Sequence, residues 1–244
     1  MTAPEPPSEP ASRTPSEPSG PPGELPPVDV ESRLAATVGA IVAAALSALL
    51  PSRVAVHPRW LLPALAAALA LALFAMTTRW PVVAEPANLA RHRRARVAAL
   101  VMTGLLSVVN FVTGLRLVVD ILRHQGIHDA TVLLWAGSSV WLVNVIVFAL
   151  WYWELDRGGR VARALGEDGH DFLFPQWTVE PPFGSPDWEP EFLDYFYFAF
   201  TNAAAFSPTD VMPLSRWAKL AMLLQSALSI GIILLVVANA INIL

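Results

Sequence analysis

The chain has 244 residues, of which 55% are hydrophobic and 15% charged, with a formal net charge of -4 and no cysteine. Soluble globular domains carry about 25% charged residues, so this composition indicates a membrane protein. The absence of cysteine excludes disulfides, thiolate metal sites and cysteine nucleophiles, and the charge balance makes us expect no nucleic acid partner and no cofactor.

Residues 1–32 form a stretch dominated by Pro, Ser and Glu. Such a segment cannot bury enough apolar surface to offset the entropy of ordering it, so we predict a disordered tail. A Pro-rich segment can also bind an aromatic groove of a partner, and that alternative stays open.

Residues 33–153 contain four long apolar runs, at 34–50, 60–76, 97–119 and 131–153, and predict a four-helix transmembrane region. The first two runs are joined by a short Pro-rich loop and predict an antiparallel helical hairpin. Three tryptophans near the ends of the fourth run fit an interfacial aromatic belt, namely Trp135, Trp151 and Trp153.

Basic residues cluster at 79–96 and again at 157–163. The positive-inside rule places both segments in the cytoplasm, so we expect a multi-pass protein of the plasma membrane, of the bacterial inner-membrane type. Contact of these arginines with anionic lipid or nucleic acid is the alternative.

Residues 154–190 change to mixed charge with Pro and Gly and predict a surface linker. Aromatic residues are scattered through it, so we expect it to lie against the membrane surface or the helical bundle. They are Phe172, Phe174, Trp177, Phe183 and Trp188.

Residues 191–244 predict a pore-loop-like hairpin followed by the last transmembrane helix. The aromatic stretch 192–206 would give about 22 Å of helix, too short for a hydrocarbon core of about 30 Å. It stops at a Ser-Pro-Thr-Asp turn, after which Ser215 is a candidate N-cap for a long helix from residue 216. The short helix either re-enters the membrane or crosses it as a half-span, and the sequence leaves both open.

The predicted fold is therefore an all-α polytopic transmembrane bundle with this hairpin at its C-terminus. Non-helical backbone at membrane depth is tolerated where it lines a cavity or is enclosed by protein. We expect the polar residues of the hairpin to line a pore or a substrate path: Thr201, Asn202, Ser207, Thr209 and Asp210.

The hairpin resembles the pore region of potassium channels, in which an aromatic pore helix precedes the filter TVGYG, an Asp, and then Pro and Ser. Residues 197–201 match the pore helix, residues 205–209 the filter, and Asp210, Pro213 and Ser215 the positions after it. The filter glycines are missing and Pro208 stands among these positions. A carbonyl-lined potassium filter is therefore not expected.

The whole chain also resembles an uncharacterised bacterial multi-pass membrane family, known only as a domain of unknown function. The resemblance is loose over residues 34–244 and close over 194–210. It is carried by Asp194, Tyr195, Tyr197, Phe198, Phe200, Thr209 and Asp210. It implies a membrane fold and no activity.

Other polar residues suggest weaker sites. Arg116 and Asp120 are four residues apart and fit an interfacial ion pair or a functional pair at depth. The amides and hydroxyls in the apolar runs fit interhelical hydrogen bonds better than a conduction path. A metal site using His124, His128, Asp120 and Asp129 is a minor alternative.

No catalytic motif is present, so we expect no enzyme. The sequence favours a channel-like or transport pore, built as a homo-oligomer because one hairpin cannot encircle a pore, with the lipid bilayer and an unspecified ion or small solute as partners. The alternative is a non-transporting structural or interaction protein, in which Asp210 caps the last helix or bonds within the bundle.

Overall fold

The computed structural model describes residues 30–52, 54–78, 86–123, 129–159, 169–180, 184, 188–204 and 210–243. The described residues form six α-helices, two short 3-10 turns and one two-stranded antiparallel ladder, which confirms the all-α prediction. The helices are α1 (Val30–Ala48), α2 (Leu61–Thr78), α3 (Pro86–Leu122), α4 (Ala130–Leu155), α5 (Phe192–Ala204) and α6 (Arg216–Ile243). The ladder pairs β1 (Phe172–Leu173) with β2 (Met212–Pro213).

Three segments are long and apolar enough to cross a membrane: Arg96–Leu122, Ala130–Gly158 and Arg216–Ile243. Each is 27 to 29 residues long, about 40 Å at 1.5 Å per residue, which exceeds a hydrocarbon core of about 30 Å. Two shorter apolar helical segments precede them, Leu34–Ala48 and Leu61–Ala75. These lengths and compositions support a membrane protein.

Helix α4 is the centre of the bundle. Of its apolar segment 67% is buried inside the protein, against 22% for that of α6. The outer faces of α3 and α6 carry exposed large hydrophobic residues, such as Val108 on α3 and Leu223 on α6. A helix that is hydrophobic all round is covered by other helices or by lipid; other helices cover α4, whereas the exposed faces of α3 and α6 are of the kind that lipid covers.

Consecutive long helices run antiparallel, so charged groups from distant segments meet at one end of the bundle. Arg96, near the start of α3, donates through Nη2 to the carbonyl oxygen of Glu154 at the end of α4 (2.7 Å). At the opposite end, Trp135 Nε1 donates to the carbonyl oxygen of Leu49 beyond α1 (3.4 Å). We call the end that carries Arg96, Arg157, Arg216 and Lys219 the basic end.

Tertiary contacts show that one prediction from the sequence was wrong and that one of two open alternatives, an Arg116–Asp120 ion pair, is not formed. Trp153 is 2% exposed and packs edge-on against Phe192 (5.8 Å between ring centroids), so it belongs to the core and not to an interfacial belt. Arg116 donates through Nη1 to the carbonyl oxygen of Ala55 (3.2 Å) instead of pairing with Asp120, and the described ion pairs are Arg96–Glu154 and Arg157–Glu189.

The remaining terminal and loop predictions fall partly outside the described residues. Helix α1 begins at Val30, inside the predicted tail 1–32, whose first 29 residues are not described. His124 and His128 are also outside the described part. Asp129 accepts from the backbone amides of Thr131 (2.8 Å) and Val132 (3.2 Å), so it serves as the N-cap of α4.

Candidate functional site

Helix α5 is the short aromatic helix of the predicted hairpin. It has 13 residues and is about 20 Å long, shorter than the three candidate spans. Its start is capped reciprocally, since Asp194 Oδ2 accepts from the backbone amide of Glu191 (2.8 Å) while the Glu191 carbonyl accepts from that of Asp194 (3.1 Å).

Helices α5 and α6 both begin at the basic end. Phe192 opens α5 against Trp153, near the end of α4. Trp217 opens α6 by donating from Nε1 to Asp171 Oδ1 (2.7 Å), and the Asp171 amide donates to Oδ1 of Asp156, directly after α4 (3.1 Å). The starts of the two helices are thus held at the same level of the bundle.

Both helices then run in the same direction. Near the end of α5, Asn202 Nδ2 donates to the carbonyl oxygen of Met222, well inside α6 (3.1 Å). The ring of Phe200 meets that of Trp141, near the middle of α4 (5.3 Å between centroids). The chain thus enters the bundle from the basic end and returns to that end before α6 begins. Parallel helices that start at one end of the bundle are compatible with the re-entrant alternative, which stays a prediction.

A polar cluster fixes the base of this hairpin, and we name it the hairpin base: Asp156, Asp171, Tyr195 and Trp217. Asp156 is fully buried and accepts from the Tyr195 hydroxyl through Oδ2 (2.5 Å). Asp171 accepts from Trp217 through Oδ1 and from the Arg157 backbone amide through Oδ2 (3.1 Å). The two carboxylates therefore join α4, the linker, α5 and α6.

A tight turn presents the Arg157 amide to Asp171. Arg157 has a φ of 49°, in the left-handed region that is uncommon for a residue with a side chain, and Gly158 and Gly159 follow at 71° and 88°. The Arg157 guanidinium pairs with Glu189 and lies 5.6 Å from the centroid of the Trp177 ring. A cation over an aromatic face is stabilised by the ring quadrupole.

Aromatic rings of the linker pack onto the hairpin base, as expected from their distribution in the sequence. Phe172 is fully buried between Phe198 of α5 (5.0 Å between centroids) and Trp217 of α6 (5.6 Å). Phe174 is 2% exposed and meets Tyr195 edge-on at 5.3 Å. The linker is thus part of the support of the hairpin.

Deeper in the bundle, neutral side chains replace the carboxylates. Gln225 of α6 accepts through Oε1 from the Tyr152 hydroxyl of α4 (2.7 Å) and from Asn202 Nδ2 of α5 (2.7 Å). Its Nε2 donates to the carbonyl oxygen of Ala199 (2.8 Å). Ser226 donates to both the backbone and side-chain oxygens of Asn202 (3.0 and 3.1 Å). We call this set the amide network.

Two further asparagines lie beyond the amide network. Asn144 of α4 donates through Nδ2 to Ser229 Oγ of α6 (3.1 Å). Asn110 of α3 donates through Nδ2 to the carbonyl oxygen of Val140 on α4 (3.3 Å). As predicted for amides and hydroxyls in the apolar runs, these contacts are interhelical hydrogen bonds.

The five predicted lining residues have different positions. Asn202 is 8% exposed and belongs to the amide network, whereas Thr201 is half-buried and donates to the carbonyl oxygens of Tyr197 and Phe198 in its own helix (3.1 and 2.9 Å). Asp210 is exposed, and Ser207 and Thr209 lie outside the described residues. The structure tests no lining role for any of them.

The N-cap of α6 is Ser215, as its position after Pro213 predicted. Its Oγ accepts from the backbone amide of Ala218 (3.3 Å), and its carbonyl oxygen accepts from that of Lys219 (3.2 Å). Ser215, which caps the last helix, therefore lies two residues after β2, whereas Asp210 lies two residues before β2.

Sequence reasoning did not identify the hairpin base as a unit. Asp156 and Asp171 lie in the segment 154–190 that the sequence predicts to be a surface linker, and Trp217 lies in the predicted last helix. The available signal was Asp156 itself, an acidic residue directly after a long apolar run, which needs either water or a partner. Only Tyr195 stood out, through the aromatic motif of α5.

Fold and site together define an α-helical bundle in which three helices are long and apolar enough to span a membrane and a short aromatic helix is anchored at the basic end. No family model, no curated protein and no solved structure matches the chain. The resemblance to a bacterial family of unknown function therefore stays a prediction, carried by residues of α5 and by Asp210.

Proposed function

We propose that the chain is a multi-pass protein of the plasma membrane, of the bacterial inner-membrane type, whose re-entrant hairpin lines an ion or solute path in a homo-oligomer. The observation that carries this proposal is the shared origin of α5 and α6 at the basic end. A half-length helix that ends inside a membrane-spanning bundle is the arrangement by which membrane proteins bring helix termini to a permeating species.

The direction of α5 favours a cation. A helix carries a partial negative charge at its C-terminal end, where the last carbonyl groups have no partner in the helix. In α5 this end is the one turned into the bundle, near the level of Trp141. The basic end, by the positive-inside rule, faces the cytoplasm, so the hairpin enters from the side opposite to that of potassium channels.

The exposed face of α5 supports the proposed oligomer. Leu193, Tyr197 and Phe200 are 66%, 57% and 41% exposed, and Thr201 lies beside them. Residues three and four apart share one face of a helix, so these side chains form a single stripe, which is open at Leu193 and Tyr197 and partly covered by Trp141 of α4 at Phe200. Copies arranged with this stripe toward a common axis would place Thr201 on the path.

The absence of cysteine allows a direct test. Thr201→Cys is labelled with a membrane-impermeant maleimide from each side of oriented vesicles, with Leu223→Cys on the exposed outer face of α6 as the lipid-facing control. We expect labelling of Thr201→Cys from the cytoplasmic side, no labelling of the control, and cation flux in proteoliposomes that labelling reduces.

Flux no greater than that of empty liposomes, across several cations and anions, would contradict a transport role. Labelling of Thr201→Cys from the outside alone would show that the proposed orientation is wrong, while Thr201 would still be accessible to a path. Both experiments use the full chain and need no bound partner.

A second candidate is a non-transporting structural or interaction protein. It is favoured by the amide network, in which both Asn202 and Gln225 make their hydrogen bonds inside one copy of the bundle. This candidate predicts that Asn202→Ala lowers thermal stability and that neither wild type nor variant conducts. Wild-type flux that Asn202→Ala abolishes in a folded protein would exclude it.

A further inference from the structure

A cavity of about 170 Å³ lies between α3, α4 and α6. It sits near the middle of the candidate span Arg96–Leu122, away from the hairpin base. It is lined by Asn110, Phe111, Gly114, Leu115, Val118, Asn144, Ala227, Leu228, Gly231, Ile232 and Leu235. Apart from the two asparagines, these residues are apolar.

Glycine at position 231 creates the room. A Cβ atom added there would meet nothing within 4 Å, whereas one added at Gly114 would meet Ile232 and Val140 at 3.3 Å. Small residues in membrane helices usually let two helices approach closely. Here α3 and α6 approach closely at Gly114, where Ile232 of α6 is near, but leave open space at Gly231.

Asn110 provides a hydrogen-bond acceptor in the wall of the cavity. It is 4% exposed, its Nδ2 donates to the Val140 carbonyl, and its Oδ1 has no hydrogen-bond partner. The bond to Val140 fixes which end of the amide is the free acceptor. A buried acceptor without a donor is unfavourable because it has lost its hydrogen bonds to water, so an occupant with one donor would relieve that cost.

Water fits this cavity poorly. An internal water needs two to four polar partners, and an apolar cavity of about 150 Å³ stays dry and binds a benzene-sized molecule. Of the two lining amides, Asn144 already donates to Ser229. We infer that the cavity binds a small, mainly apolar molecule of about phenol size that carries one hydroxyl group, which donates to Asn110.

The route into the cavity passes between α3 and α6. Phe111 and Leu115, which line it, are 47% and 50% exposed on the outer face of α3. With the bundle in a membrane, such a molecule would arrive from the hydrocarbon phase. The inference depends on membrane placement and not on the transport role of the hairpin, so binding and flux measurements can fail separately.

The test compares two probes on the purified full chain in detergent by ¹⁹F NMR, with protein-free micelles as the blank. 4-Fluorophenol has a hydroxyl donor, and 4-fluoroanisole has nearly the same shape and none. We expect 4-fluorophenol to bind about tenfold more tightly, equivalent to about 1.4 kcal/mol. Equal affinity, or no protein-dependent signal from either probe, would overturn the inference.

Variants locate the site. Gly231→Leu fills the cavity and should abolish binding of 4-fluorophenol, while Gly231→Ala adds a methyl group in open space and should leave binding measurable. Asn110→Leu should remove the preference for the phenol. Retention of binding in folded Gly231→Leu, or of the preference in folded Asn110→Leu, would refute the assignment, and the two-probe comparison on wild type requires no variant.

Discussion

The bond between Tyr195 and Asp156 makes the substitution Tyr195→Phe a direct test of the hairpin base. Both residues are fully buried, and the hydroxyl lies 2.5 Å from Oδ2 of the carboxylate. The substitution keeps the ring against Phe174 and removes the donor. Removal of one partner of a buried hydrogen bond costs about 1–3 kcal/mol because the remaining oxygen loses a donor, so we expect destabilisation by about 2 kcal/mol.

The assay is thermal unfolding of the full chain in detergent, followed by tryptophan fluorescence. For a chain of this size about 1 kcal/mol corresponds to about 2–4 °C, so Tm should fall by about 4–8 °C. Tyr197→Phe is the matched control, because Tyr197 lies two positions along the same helix with 57% of its surface exposed. An unchanged Tm for Tyr195→Phe, or an equal fall for both variants, would refute the role of the base.

Two further pairs of variants test packing and capping. Gly137→Ala should lower the unfolding free energy by about 1–3 kcal/mol, because the new Cβ would lie 2.7 Å from both methyl groups of Val236; Gly231→Ala, with open space around its Cβ, should be neutral or stabilising by up to about 1 kcal/mol. Ser215→Ala should cost about 1 kcal/mol as the loss of an N-cap, and Asp210→Ala should cost little. Thermal unfolding measures both pairs. A larger loss of stability in Gly231→Ala than in Gly137→Ala would contradict the packing argument, and a larger loss in Asp210→Ala than in Ser215→Ala would contradict the cap.

The helices were predictable from the sequence because their signal is local. Long apolar runs without breaks define α3, α4 and α6, and the Ser-Pro-Thr-Asp sequence at 207–210 predicts that α5 is shorter than a span. The cap at Ser215 was also predictable, since a serine directly before a long apolar run is a preferred N-cap residue of a helix. Each of these features depends on residues within one or two helical turns of one another.

The contacts of the site were not predictable, since they join residues far apart in the chain. Asn202 and Gln225 are 23 positions apart, and Tyr152 lies 73 positions from Gln225. A single sequence cannot show which face of a uniformly apolar helix meets another helix. The misplacement of Trp153 has the same cause, because the aromatic ring that covers it belongs to α5.

Polarity in the bundle decreases with distance from the basic end. Carboxylates occur at the hairpin base, amides and hydroxyls around Gln225, and isolated asparagines such as Asn144 farther in. Burial of a formal charge in hydrocarbon costs several times more than burial of an amide, so this gradient is the one that a membrane environment requires. The gradient fits membrane insertion, as it fits burial in any apolar interior. Between Ala130 and Trp153 helix α4 has no charged residue, so on the proposed path a cation at the end of α5 would meet backbone and amide dipoles from this side. Its affinity would then be modest, which conduction requires.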